Sequence, residues 1–391
     1  MIGCDIDRLR AFIACEPVNR THDVTLAAMA TLVTDDKAQM DIGFNFLKHG
    51  LIGFLCALAS VSACAGVGYS LGPEQVAVVI NEADAGSVEV GEYYLAARGI
   101  PARNLVRVNL PGKPHSLTAQ AFKALRQQIT SRLSADIQVV ALVWTAPYAV
   151  ECNSITSALT LGFDAQQCVK TCAAGKRNPY FDSASLRPYR DFRMRLAMLL
   201  PSENVAQAKA LIDRGVMSGF LIEPASAYFL HTSDSARSSR SVWFPKPGFI
   251  PALRFSIDTR QADSLEGVRD IMIYETGLVS VPKLDTLGFL PGALADHLTS
   301  SGGDLLGKNQ MSSLRWLEAG ATASYGTVSE PCNHWQKFPN PSVLLKHYLA
   351  GASAVEAYWK SVAWPAQGLF IGEPLASPYR RAGMRVPLPA D

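Results

Sequence analysis

The sequence predicts an α/β protein built on a mostly parallel sheet with helices covering both faces. Three observations predict it. Short apolar runs alternate with segments of helical spacing. The runs are apolar throughout, as strands buried on both faces must be. Each run ends in Gly, Pro, Asp or Glu, and most polar residues that could do chemistry sit at those ends. A parallel α/β sheet presents its ligands there, outside the carboxyl ends of its strands.

The elements follow in order. Residues 75–82 (QVAVVINE) are continuous, β-branched and short, which makes a buried strand. Residues 87–99 follow as an amphipathic helix, with Ser87 as its N-cap and Gly99 as its stop. Residues 105–110 form a second strand. Phe122, Leu125, Ile129 and Leu133 mark a helix over 118–133, and 137–144 (IQVVALVW) is a third strand. This β-α-β-α-β order is the parallel signature. Residues 145–195 break the rhythm and read as a long surface insertion tied down by disulfide. A helix over 204–216 and strands at 227–233, 271–275 and 287–290 come next. Pro291-Gly292 is expected to open a helix (ALADHLTSS). A helix at 311–320, a strand at 322–328, two closing helices at 341–349 and 353–362, and a last strand at 368–375 complete one α/β domain over 74–376. Residues 377–391 are a tail.

Composition narrows the function classes. The chain has 391 residues, 48% of them hydrophobic and 18% charged, which excludes a disordered or fibrous protein. The formal charge of +2, with basic residues scattered, gives no reason to expect nucleic acid. Sequence signatures for a nucleophile elbow, a Walker loop, H-E-x-x-H or a dinucleotide fingerprint are absent, so no cofactor and no metal is expected.

The N-terminal region reads as a leader. Residues 1–39 lack a clear period and look like a start assigned too early, with Met40 opening a conventional basic flank (MDIGFNFLKH). Residues 50–63 (GLIGFLCALASVSA) match a signal-peptide core in length and are short for a membrane span. Val61-Ser62-Ala63-Cys64 resembles a lipobox with Cys64 as the lipidated residue. Ala63-Cys64-Ala65 equally reads as a cleavage site that releases a soluble protein. With a leader over 40–65, the protein is expected to be exported: periplasmic, lipid-anchored or secreted. Membrane contact is expected only through a lipid.

Cysteine supports export. Beyond the leader stand Cys152, Cys168, Cys172 and Cys332, an even number that an oxidising compartment would pair. They are disulfide candidates of open connectivity. Zinc is the competing reading, but no His lies near the Cys168/Cys172 pair in sequence.

The chemistry-bearing residues fall at strand ends: Asn81 and Glu82, Thr145 and Tyr148, Glu275 and Thr276, Asp296 and His297, then Glu330, Cys332 and His334, and finally Glu373. If all strands are parallel, these ends converge. Glu275, Asp296, His297 and Glu330 are the catalytic candidates, because paired carboxylates and an imidazole can share acid–base work. Thr145, Tyr148, Thr276 and Glu373 are the binding candidates. Cys332 with His297 or His334 could form a nucleophilic dyad, in competition with a disulfide through Cys332.

Residues 317–331 (LEAGATASYGTVSEP), 343–361 (VLLKHYLAGASAVEAYWKS) and 368–375 (GLFIGEPL) resemble the C-terminal part of the caspase-like, gingipain-type cysteine peptidases. Ala319-Gly320-Ala321, Gly326, Gly351, Glu356-Ala357 and Gly372-Glu373-Pro374 carry the likeness. Residues 76–82 and 92–111 also resemble a family of exported bacterial proteins of unknown function, which matches the chain from about residue 75 onward. The peptidase resemblance implies a caspase-like architecture with His-Gly after one central strand and Cys after the next. Here those positions read Tyr274-Glu275-Thr276-Gly277 and Leu287-Gly288-Phe289-Leu290-Pro291-Gly292, with neither His nor Cys. Two readings stay open: a hydrolase of non-standard site acting on peptide or envelope polymer, and a catalytically silent binding or structural envelope protein.

Overall fold

The computed structural model describes residues 71–220 and 223–380. Residues 1–39, the expected leader with Cys64, and residues 381–391 of the expected tail lie outside the described residues.

In chain order the strands are β1 (Val76–Asn81), β2 (Leu105–Val108), β3 (Ser116–Leu117), β4 (Val139–Val143), β5 (Ala149–Val150), β6 (Asn153–Ser154), β7 (Leu196–Leu200), β8 (Ala225–His231), β9 (Gly248–Ile250), β10 (Phe255–Gln261), β11 (Ile271–Thr276), β12 (Phe289–His297), β13 (Ala323–Thr327) and β14 (Gly368–Gly372). The α-helices are α1 (Ala85–Arg98), α2 (Ala119–Thr130), α3 (Ile155–Leu161), α4 (Ala165–Val169), α5 (Pro188–Phe192), α6 (Val205–Met217), α7 (Leu314–Ala319), α8 (Pro341–Leu349) and α9 (Ala354–Ser361).

The main sheet has 11 strands in the order β2-β1-β4-β7-β14-β13-β12-β11-β8-β10-β9, and β3, β5 and β6 form a small second sheet. Both faces of the main sheet are covered, with separate apolar clusters on each. The α/β class and the mostly parallel sheet are therefore as the sequence predicts.

The direction of the strands is not uniform. β2, β1, β4, β7 and β14 run parallel to one another. So do β13, β12, β11, β8 and β10. The two blocks meet at β13 and β14, which pair antiparallel from Ala323↔Gly372 to Thr327↔Gly368. Their carboxyl ends consequently open on opposite edges of the sheet. The expectation that all polar strand ends converge is overturned by this seam. Thr145, Tyr148 and Glu373 follow strands of the first block. Glu275, Thr276, Asp296, His297 and Glu330 belong to the second.

Local causes are visible in the chain. β1, β4 and β7 bury every residue, which accounts for their unbroken apolar character. Asp84 caps α1 by accepting from the Gly86 amide, and Gly99 ends it at φ 64°. Ser87, the expected cap, is buried within the first turn, where its hydroxyl accepts from the Asn81 amide at 2.8 Å and donates to the Val143 carbonyl. α2 buries Phe122, Leu125 and Ile129, as its spacing predicts.

One expected helix is a strand. Residues 293–297 continue β12 through Pro291 and Gly292, and all of them are buried. A short run buried on both faces has no period that separates strand from helix, so the Pro-Gly pair misleads. Gly292 sits at φ 92°, and the β11 register slips between Ile271 and Ile273 opposite this region. β7, β9 and β10 also lie where no strand was predicted. β7 hides at the end of the polar insertion, as residues 196–200 (LAMLL).

The cysteines pair as Cys152–Cys168 and Cys172–Cys332, with Cα–Cα separations of 5.2 and 5.1 Å. The insertion is held by more than these bridges. Residues 155–160 of α3 are all buried. Residues 377–380, expected in the tail, also pack: Ser377 is buried and donates to the Gly351 carbonyl at 3.0 Å.

Candidate functional site

β11 and β12 place Glu275 directly opposite Asp296, and Thr276 opposite His297. Neighbouring residues on a strand face opposite sides. Glu275 and Asp296 therefore share a face, and His297 lies on the other, against Trp316. Both carboxylates are 0% exposed. Arg240, from the loop after β8, enters between them. Its Nη2 is 2.6 Å from Asp296 Oδ1 and its Nη1 is 3.5 Å from Glu275 Oε2. The same guanidinium donates to the Thr276 carbonyl at 2.9 Å.

Two carboxylates thus share one buried cation. Burial pushes Glu275 well above the usual carboxylate range, and the neighbouring Asp296 charge adds to the rise. Asp296 is raised by burial too, while Arg240 and a hydrogen bond from Tyr358 pull it down. Arg240 lies closer to Asp296 than to Glu275, so it favours the ionised form of Asp296 more strongly and leaves Glu275 the readier of the two to hold a proton.

His297 is committed in a different way. Its Nδ1 accepts from Trp316 Nε1 at 2.9 Å, so Nε2 carries the hydrogen and donates to the Met311 carbonyl at 3.1 Å. Burial, chiefly, lowers its pKa to about 3 and keeps the ring neutral. Glu330 stands apart from this group. It is exposed, and its Oε1 accepts from the Cys332 amide at 2.8 Å. Cys332 is bonded to Cys172, so it offers no thiol to His297 or His334.

Glu373 belongs to a separate buried network on the first block. It accepts from Tyr94 Oη at 2.7 Å, Arg98 Nε at 3.0 Å and the Leu375 amide at 3.1 Å. Gly215 on α6 is required beside it: a Cβ there would stand 2.3 Å from Glu373 Oε2.

A concave feature lies elsewhere among the described residues. A cleft of about 1080 Å³ opens between the segment after β7 with α6 on one side and the β11–β12 and β12–β13 connections on the other. Leu211, Val281, Leu305 and Leu317 are among its apolar lining residues, and Gln207 and Lys308 among its polar ones. Several predicted site residues build this cleft. Thr145 lines it, and its Oγ1 accepts from the Ser202 and Glu203 amides at 3.1 and 3.0 Å, which fixes the turn into α6. Tyr148 donates to Asp304 Oδ1 at 2.5 Å and anchors one end of the 304–311 loop. His297 anchors the other end through the Met311 carbonyl. Gly307 folds against Asp304 so closely that a Cβ would lie 2.1 Å from Oδ2. Sequence reasoning missed the loop itself, residues 304–311, because it carries no catalytic residue type. The Gly307 turn next to the exposed apolar Leu306 is the signal that was present.

Among the described residues no group of His, Cys, Asp and Glu is arranged to hold a metal ion. No protein-family model matches the chain, and no curated protein resembles it in sequence. Among solved structures, a chain titled "Structure of Protease" is similar, at 10% sequence identity, with a TM-score of 0.41 and 80% of each chain covered. A likeness this distant assigns no residue a role.

Proposed function

We propose that the chain is a binding protein that holds its ligand in the Leu211–Leu305 cleft, rather than a hydrolase acting through Glu275, Asp296, His297 and Glu330. The observation that carries this reading is the burial of Glu275, Asp296 and His297, with Glu330 apart from them at the surface. Arg240 pairs with both carboxylates at zero exposure, more closely with Asp296, and His297 spends both ring nitrogens on Trp316 and Met311. A general acid or base must reach the proton it moves. Tyr148, Thr145 and His297 instead hold the walls of an open cleft. Two disulfides support an oxidising compartment and hence export, with either lipid attachment at Cys64 or cleavage beside it.

The test is a panel of ester, amide and glycoside reporters run on the full chain beside Glu275→Gln. Equal background turnover is expected. Turnover by the natural chain that the Gln variant loses would restore the hydrolase. Mass spectrometry of the mature N-terminus tests the export reading: a mass that still includes residues 40–63 would count against it.

A further inference from the structure

We infer that the cleft takes an extended peptide segment bearing aliphatic side chains. This rests on the binding reading above and adds the ligand class. Three features of the lining carry it.

The first is size. At about 1080 Å³ the cleft lies just above the range, roughly 300–1,000 Å³, in which single drug-sized ligands are held. A segment of a chain fills such a space better than one small metabolite does.

The second is the kind of apolar surface. Leu211, Val281, Leu305, Leu314 and Leu317 line the cleft, and Val279 and Leu306 stand at its lip, each 39% exposed. The lining contains no Phe, Tyr, Trp or His. Sugar rings are held by stacking on aromatic faces, which this surface does not offer. Branched aliphatic side chains pack on Leu and Val instead.

The third is the polar set. Gln207 and Asn309 offer amides that can both donate and accept, as a peptide backbone requires. The side chains of Gln207, Asp285, Lys308 and Asn309 have no hydrogen bond or ion pair among the described residues, and all four line the cleft. Lys308 and Asp285 supply one free charge of each sign. Lys283 and Arg315 are already paired with Glu266 and Glu318. A strongly charged ligand of either sign has no matching field here, whereas a near-neutral chain of amides does.

The experiment uses fluorescein-labelled, end-blocked linear peptides with and without Leu/Val positions, and labelled glycan strands, titrated by anisotropy into the full chain. The partners are Leu306→Asp, Asn309→Ala and Glu275→Gln. Saturable binding of the Leu/Val peptides is expected, weakened by about tenfold or more in Leu306→Asp and less in Asn309→Ala, and unchanged in Glu275→Gln. Circular dichroism that matches the natural chain shows that Leu306→Asp folds, as its half-exposed position predicts. Glycan strands that bind with the same Leu306 dependence would overturn the peptide class and leave the binding reading standing. Peptide binding indifferent to Leu306 and Asn309 would overturn the cleft assignment. Peptide cleavage that Glu275→Gln abolishes would overturn the binding reading itself.

Discussion

Glu275 and Asp296 face each other on adjacent parallel strands, in register and fully buried, with a single guanidinium between them. Arg240 lies closer to Asp296, so the two carboxylates have unequal roles. Glu275→Gln should raise the unfolding free energy at neutral pH, because the amide folds without the proton that Glu275 must take up from the ionised unfolded chain. Asp296→Asn leaves Arg240 without its ionised partner and should cost about 3–5 kcal/mol. Urea unfolding of the two variants separates them. Equal losses would show that both carboxylates are ionised in the fold.

The same pair predicts a pH dependence. Glu275 has a folded pKa raised well above its ordinary 4.5. Above pH 4.5 the unfolded chain releases this proton while the folded chain keeps it. The favourable contribution is therefore complete below 4.5 and is lost as pH rises toward the folded value. Glu275→Gln removes that slope. Stability curves of the natural chain and the variant, measured from mildly acid to neutral pH, should converge at the acid end.

His297 acts with the opposite sign. Its folded pKa is lowered to about 3 from 6.5. Its contribution is present above 6.5 and is lost as pH falls, because the unfolded chain then takes up a proton that the folded chain refuses. Nitrogen NMR of the ring should show a neutral Nε2–H tautomer at pH 5. An imidazolium signal there would mean that the Trp316 and Met311 contacts do not hold. In that case the 304–311 loop would lose one of its anchors.

How much of this was legible follows from the kind of pattern each element carries. β1, β4 and β11 are runs buried on both faces, and the sequence shows them directly. β12 was cut short at Pro291-Gly292, because a bulged strand absorbs the two residues that usually end one. The antiparallel seam between β13 and β14 leaves no local trace, since an individual strand does not encode its neighbour's direction. That seam decides which polar residues meet. Glu275 and Asp296 meet because they lie on adjacent parallel strands of one block. Glu373 was grouped with them by its strand-end position and lies in the other block. Arg240 is far from both carboxylates in sequence, in a loop with no period, and nothing local marks it as their partner.

The Glu373 network gives a prediction of packing rather than charge. Gly215→Ala places a methyl 2.3 Å from Glu373 Oε2, inside a site that also holds Arg98 and Tyr94. A helix interior normally favours Ala over Gly by up to about 1 kcal/mol. Here overpacking should win and destabilise by about 1–3 kcal/mol. A thermal melt of Gly215→Ala checks the sign. A raised midpoint would mean that α6 can move away from Glu373.

The two disulfides differ most in the span they close. Cys152–Cys168 spans a sequence separation of 16, and Cys172–Cys332 one of 160. If restriction of the unfolded chain dominates, a loop of about 15 residues is worth about 3 kcal/mol and one of about 100 about 4.7. Replacing Cys172 and Cys332 by Ala should therefore lower the unfolding free energy more than replacing Cys152 and Cys168. Packing argues the other way. The short bridge lies beside Asn153, whose side chain donates to the Asp164 carbonyl at 3.0 Å and helps seat the insertion against buried α3. Urea midpoints of the two double variants decide between these effects. A larger loss for the Cys152/Cys168 pair would assign the bridges to holding the insertion in place rather than to confining the unfolded chain.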